Sequence, residues 1–157
     1  MKKLILIPLI LITINAFSQN SNPLVSFVNP NTLSSPTGYS HAAVIDLGNC
    51  TMIILSGQVP LDKQGALVGK DDFEKQAEQV FTNIKNAVTE LGGSMDNIVK
   101  FGYFVSDINQ LQKLRAVRNK YINTKNPPAS TLVQVSKLYR DDVMLEVEAT
   151  AILPKKK

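Results

Sequence analysis

One cysteine, one histidine and no tryptophan occur in 157 residues, and charged residues make up 19% of the chain. Cys50 has no partner in its own sequence, so no internal disulfide can brace the fold. It follows Asn49 in the turn Leu47-Gly48-Asn49-Cys50-Thr51, where nothing nearby lowers a thiol pKa, and it reads as a structural thiol. With His41 as the only histidine, multi-histidine metal sites are excluded and no Cys/His cluster has metal-ligand spacing; no metal is expected. The one long apolar run, Leu4 to Ile14, falls short of the roughly 20 residues needed to cross a bilayer, and Pro8, Thr13 and Asn15 break it. A basic stripe with interleaved aromatics is also missing, which leaves nucleic-acid binding without its electrostatic footprint. The net charge of +4 falls to about +2 without Lys2 and Lys3, and the tail Lys155-Lys156-Lys157 reads as a solvated end.

What is present begins with a targeting pattern. Lys2 and Lys3 precede the apolar run, and Ala16-Phe17-Ser18 places small residues where a signal peptidase reads. Residues 1–18 are therefore expected to be a cleaved signal peptide, which sends the mature protein to the periplasm or outside the cell and leaves no membrane segment. Residues 19–157, about 139 in number, suit one domain large enough to bury a core unaided.

Within that domain, the Asn-, Pro- and Ser-rich stretch 20–36 reads as an extended lead-in with an edge strand near Val25 to Val28. Ala42 to Leu47 and Thr51 to Gln58 alternate about the Gly48-Asn49 turn, which predicts a hairpin. Gly57 near its end serves either a close backbone approach to a ligand or a packing bulge. Phe73, Ala77, Val80, Phe81, Ile84, Val88 and Leu91 recur at helical spacing, predicting a helix over Asp71 to Leu91 that Gly92-Gly93 ends. Ile98 to Val105 reads as a strand, and Asn109 to Tyr121 as a helix with Leu111, Leu114, Val117 and Tyr121 inward. The result is an α+β fold, a mixed and mostly antiparallel sheet with two helices on one face. Apolar residues on both faces of Thr51 to Leu55 suggest that the other face meets another subunit.

The most site-like stretch is Asn126-Pro127-Pro128-Ala129-Ser130-Thr131-Leu132, a rigid turn feeding a strand. Val143 to Ala151 forms the last strand, and the turn near Arg140-Asp141-Asp142 predicts that these two strands are antiparallel neighbours. Period two places Glu146 and Glu148 on one face, opposite Leu145 and Val147. A paired carboxylate strand beside a proline-braced corner suits a small-molecule cleft.

Across most of this domain the chain resembles the YjgF/Rid family of enamine/imine deaminases, also called endoribonuclease L-PSP. The resemblance rests on Asn29-Pro30, Gly38-Tyr39-Ser40-His41-Ala42, Leu55-Ser56-Gly57-Gln58-Val59-Pro60, Gln79 and Asn83, Val99-Lys100, Pro128-Ala129 and Glu146-Val147-Glu148-Ala149. It implies a chorismate-mutase-like fold and a homotrimer with ligand clefts between subunits. The implied chemistry is hydrolysis of 2-imino or 2-enamino acids to 2-oxo acids and ammonia, without a cofactor. Glu146 matches the glutamate that handles the attacking water, and Tyr39 a cleft tyrosine. Gly57 and Gln58 match backbone and neighbouring contacts to substrate, and Leu132 a position often held by cysteine. The chain departs where the family carries Pro-Ala-Arg-Ser: Ser130 stands in place of the arginine that grips the substrate carboxylate. Arg118, where the resemblance suggests asparagine, either points into the same cleft or lies exposed on its helix. Three classes follow in order: an imine hydrolase of altered specificity, a small-acid binding module without turnover, and a ribonuclease, which a near-neutral body disfavours.

Overall fold

Buried and open positions alternate over 101–105 and 145–153, and they draw one sheet with one covered face. The computed structural model describes residues 23–155; the expected signal peptide and the last two lysines lie outside them. In chain order the elements are β1 (Val25–Val28), β2 (Ala42–Asp46), β3 (Cys50–Gln58), α1 (Phe73–Glu90), β4 (Ile98–Val105), α2 (Leu111–Arg118), β5 (Ala129–Gln134) and β6 (Leu145–Pro154). The six strands run in the order β1-β2-β3-β6-β4-β5, antiparallel throughout except for the parallel pair β4 and β5. That pair needs a crossover, which α2 supplies. The expected α+β layout with helices on one face is what the chain forms.

One pairing departs from expectation. β5 and β6 are not neighbours, because β4 lies between them. Leu145, Val147, Ala149, Ala151 and Leu153 are all buried, so β6 is a central strand and inserts between β3 and β4. β5 is exposed at nearly every position and fits only an edge. The turn near Arg140-Asp141-Asp142, expected to close a hairpin, instead belongs to a segment, 135–144, that carries the chain past the end of β4.

The core forms where α1 lies on the sheet. Asp72 caps the helix by accepting from Lys75 N at 3.1 Å, and Gly92 ends it at φ +88°, a conformation glycine adopts without penalty. Phe73, Ala77, Val80, Phe81, Ile84, Ala87 and Val88 are buried against Ile53, Leu55, Phe101 and Val147. Phe81 meets Phe101 edge-on at 5.9 Å and stacks on Tyr121 at 5.3 Å. α2 is shorter than expected: residues 108–110 form a 3-10 turn, and the helix stops at Arg118. Tyr121 nonetheless reaches the core from beyond the helix, its hydroxyl 3.1 Å from Thr82 Oγ1.

Gln76 is a polar residue hidden in this apolar stripe. Fully buried, it donates to Asp142 O and accepts from Met144 N, both at 2.8 Å, which ties the approach to β6 onto α1. Gln76→Leu preserves size but strands two backbone groups, and is expected to cost about 1–3 kcal/mol in urea unfolding. A midpoint equal to the wild type would refute that role.

Among the described residues no helix lies over the opposite sheet face. Phe27, Ile54 and Val133 are exposed there.

Candidate functional site

The site begins at an irregularity. The β3–β6 register shifts between Leu55 and Gln58, so Ser56 and Gly57 form a bulge. Ser56 fixes it, with its N–H donating to His41 O at 2.9 Å and its hydroxyl to Ser40 O at 2.7 Å. Gly57 then passes directly beneath the Glu146 side chain. A Cβ there would overlap Glu146 Oε1 and sit 2.6 Å from its Cδ. The bulge reading of Gly57 is the one seen here, and the bulge makes the room that the carboxylate occupies.

His41 holds the wall opposite. Its Nε2 lies 2.8 Å from Ser34 O, which can only accept, so that nitrogen carries the proton. Nδ1 is left to accept from Gln58 Nε2 at 3.5 Å, and the His41 amide donates to Asn29 Oδ1 at 2.9 Å. The histidine is buried and serves as a peg for the loop that carries Tyr39, whose ring meets it edge-on at 5.3 Å. Gln58, expected among the ligand contacts, is buried behind the wall instead, donating to Ser56 O at 2.9 Å and facing His41. Its polar end is already engaged by the scaffold.

Glu146, Tyr39 and Gly57 line one cavity of about 590 Å³, together with Ser35, Thr37 and Tyr139. Burial, and then the like charge of Glu148, push the Glu146 carboxyl above its ordinary range. Burial also raises Tyr39, helped by Tyr139 and Glu146, so its hydroxyl remains a proton donor at neutral pH. A half-buried carboxylate facing a phenol is an acceptor and a donor set across a small-molecule space. Among the described residues no group of three or more His, Cys, Asp or Glu is placed to hold a metal ion.

Ser130, Leu132 and Arg118 lie elsewhere. They line a separate cavity of about 90 Å³ with Arg115 and Tyr103. Strand register explains the separation: Ser130 and Leu132 pair with Phe101 and Tyr103, whose side chains are buried beneath the helices, whereas Glu146 pairs with Phe104 on the open face. The expected meeting of the proline corner with the acidic strand therefore does not occur within one chain. Within one chain the two groups of residues line two separate cavities.

Several of these contributors escaped the reading of the sequence. Arg115 is not singled out by any motif, although its spacing of three from Arg118 puts both on one face. Tyr139 and Tyr103 gave no local signal, because their positions depend on the long connection 135–144 and on the partners of β4.

Comparison with known proteins now adds to this geometry. The family model described as Endoribonuclease L-PSP matches residues 30–153. A RutC family protein of Pyrococcus abyssi is 35% identical over 113 residues, covering 72% of this chain and 84% of its own length. A 2-iminobutanoate/2-iminopropanoate deaminase of Salmonella typhimurium is 37% identical over 111 residues, covering 69% of this chain and 83% of that protein. The crystal structure of the YjgF gene product of E. coli superposes with a TM-score of 0.69 at 32% identity, over 81% of this chain and 98% of that one. Because the match runs through the bulge, both helices and the acidic strand alike, the chain belongs to the endoribonuclease L-PSP family.

Proposed function

We propose that the protein hydrolyses a small 2-imino acid, with Glu146 acting on the attacking water. The observation that carries this reading is the Glu146 carboxylate seated over Gly57 in a cavity that also holds the Tyr39 hydroxyl. Glu146 takes a proton as water adds to the carbon of the protonated imine and gives it to the amino group of the tetrahedral amino alcohol; ammonia then leaves as the C–N bond breaks, the hydroxyl proton passes to solvent and a 2-oxo acid remains, with no cofactor entering. The deaminase name of the Salmonella relative supports the reaction class. The exposed apolar sheet face and the two separated half-sites support a homotrimer, in which the Glu146 half of one copy faces the Ser130 half of the next. Neither cavity offers a basic surface broad enough for RNA.

An amino-acid oxidase supplying 2-iminopropanoate, with semicarbazide as the trap, tests the proposal. Slower semicarbazone formation is expected when the protein is added. Replacement of the usual arginine by Ser130 favours a second reading, a binding module without turnover. Unchanged trapping for every imino acid, together with measurable affinity for a 2-oxo acid, would establish that alternative. Export belongs to the same proposal: N-terminal sequencing of the mature protein is expected to begin at Gln19.

A further inference from the structure

Glu90 ends α1 and stands exposed, at a place where a carboxylate gains nothing from the helix. The C-terminal end of a helix dipole is negative, so an acid there is disfavoured, and the last turn holds no base to pair with it. Among the described residues Glu90 forms no ion pair. Its partners come instead from the loop between β1 and β2. Oε1 accepts from Asn31 N at 2.7 Å and Asn31 Nδ2 at 3.1 Å, and Oε2 accepts from Thr32 N at 3.1 Å and Thr32 Oγ1 at 2.9 Å. Successive backbone N–H groups aimed at one anion fix the shape of the turn that carries them. These bonds, that from Asn31 N foremost, hold the carboxyl below its ordinary range, so it is ionised at neutral pH.

The turn gripped in this way begins a wall of the Glu146 cavity. Leu33, next in the chain, is buried in the core, and its N–H donates to Pro30 O at 3.2 Å. Ser34 O then accepts from His41 Nε2 at 2.8 Å, and Ser34, Ser35, Thr37 and Tyr39 line the cavity with Glu146. The stretch 34–39 is thus held before by Glu90 and Leu33 and after by His41. The two holds act on different ends. His41 meets the Tyr39 ring edge-on at 5.3 Å and governs the phenol, whereas Glu90 grips Thr32 just ahead of the two serines. Gly38 bends the chain between them at φ +78°.

We propose that Glu90 is a positioning residue for this cavity, holding the turn at Asn31 and Thr32 so that Ser34, Ser35 and Thr37 keep the wall against which the ligand is bound. Glu90 itself touches no ligand. The reacting groups are seated by other means, Glu146 over Gly57 and Tyr39 on His41, so loss of the grip weakens binding and spares the chemical step. That the ligand is a 2-imino acid rests on the reaction proposed above; the hold of Glu90 on the wall does not.

Two substitutions grade the grip. Glu90→Ala removes all four bonds, whereas Glu90→Gln keeps an acceptor oxygen for one residue of the turn and turns an NH2 group toward the other. Because the side chain is exposed, both variants should fold, with melting temperatures within about 4 °C of the wild type. In the semicarbazide assay KM is expected to rise about tenfold in Glu90→Ala and about threefold in Glu90→Gln, with kcat within about twofold of the wild type. A merely structural loss would remove active protein and leave KM where it was. Amide order parameters from NMR relaxation read the wall without the reaction. At Ser34, Ser35 and Thr37 they should fall from about 0.85 to below about 0.6 in Glu90→Ala, while those of α1 hold. Loosening confined to Asn31 and Thr32, no loosening, an unchanged KM or a loss carried by kcat would overturn the proposal. Absence of hydrolysis in the wild type would end the imine reading alone. The order parameters would then decide the role of Glu90, and loosening that reaches Ser35 and Thr37 would uphold it.

Discussion

Glu146→Gln is expected to lower kcat/KM for imine hydrolysis by about 10²–10⁴-fold while leaving the protein folded. The amide keeps the shape of the side chain over Gly57 but cannot take a proton from water. The raised pKa of Glu146 sets the accompanying pH behaviour. In the wild type the reactive, ionised form is lost as pH falls through a value above the ordinary 4.5, so the acid limb of the rate profile should lie higher than an exposed glutamate would give. Stability carries the opposite sign. A carboxyl whose folded pKa is raised binds its proton more tightly in the native state, which stabilises below the ordinary range and ceases to do so as pH rises through the folded value. At pH 7 the ionised group therefore strains its half-buried site, and Glu146→Gln should melt higher than the wild type. Below about pH 4 the difference should vanish. Wild-type hydrolysis in this variant would remove Glu146 from the chemistry. A lower melting temperature at pH 7 would show that its carboxylate is stabilised by a contact the cavity does not reveal.

Legibility in the sequence followed the range of the interactions. The hairpin of β2 and β3 and the stripe of α1 rest on local alternation and helical spacing, and both formed with ends within two residues of those expected. The neighbour of β5 was misjudged because a central place goes to the strand with the more apolar face to bury, and β6 outcompetes β5 for it through five buried residues on one face. No short-range pattern reports that competition. The same limit applied to the site. Glu146 and Gly57 could be singled out as residues, but the bulge that stacks them depends on register across two strands far apart in sequence. Gln58 shows the same limit: its place beside a glycine says nothing of the contacts its buried amide makes with Ser56 O and His41. Arg118 could be read either as entering the cleft of Ser130 or as exposed on its helix, and the two share a cavity, which the parallel pairing of β4 and β5 under α2 creates.

Gly57→Ala, the second large effect, separates two ways a glycine can serve this cavity. Its φ is not in the left-handed region, so alanine is conformationally allowed and the whole cost is steric. The added methyl occupies the space of Glu146 Oε1, and the carboxylate must swing away. Because Glu146 is only half-buried it has somewhere to go, so the stability loss should stay near 1 kcal/mol. Catalysis tolerates such a displacement poorly: a shift of about 1 Å in a reacting group costs on the order of 10²-fold. If Gly57 acts by seating the carboxylate, the loss should fall on kcat, and Gly57→Ala combined with Glu146→Gln should be no slower than Glu146→Gln alone. If it acts by letting its backbone approach the ligand, the loss should appear as a raised KM and should add to that of Glu146→Gln. Steric overlap with Oε1 favours the first outcome, and additive losses would return Gly57 to the role of a substrate contact.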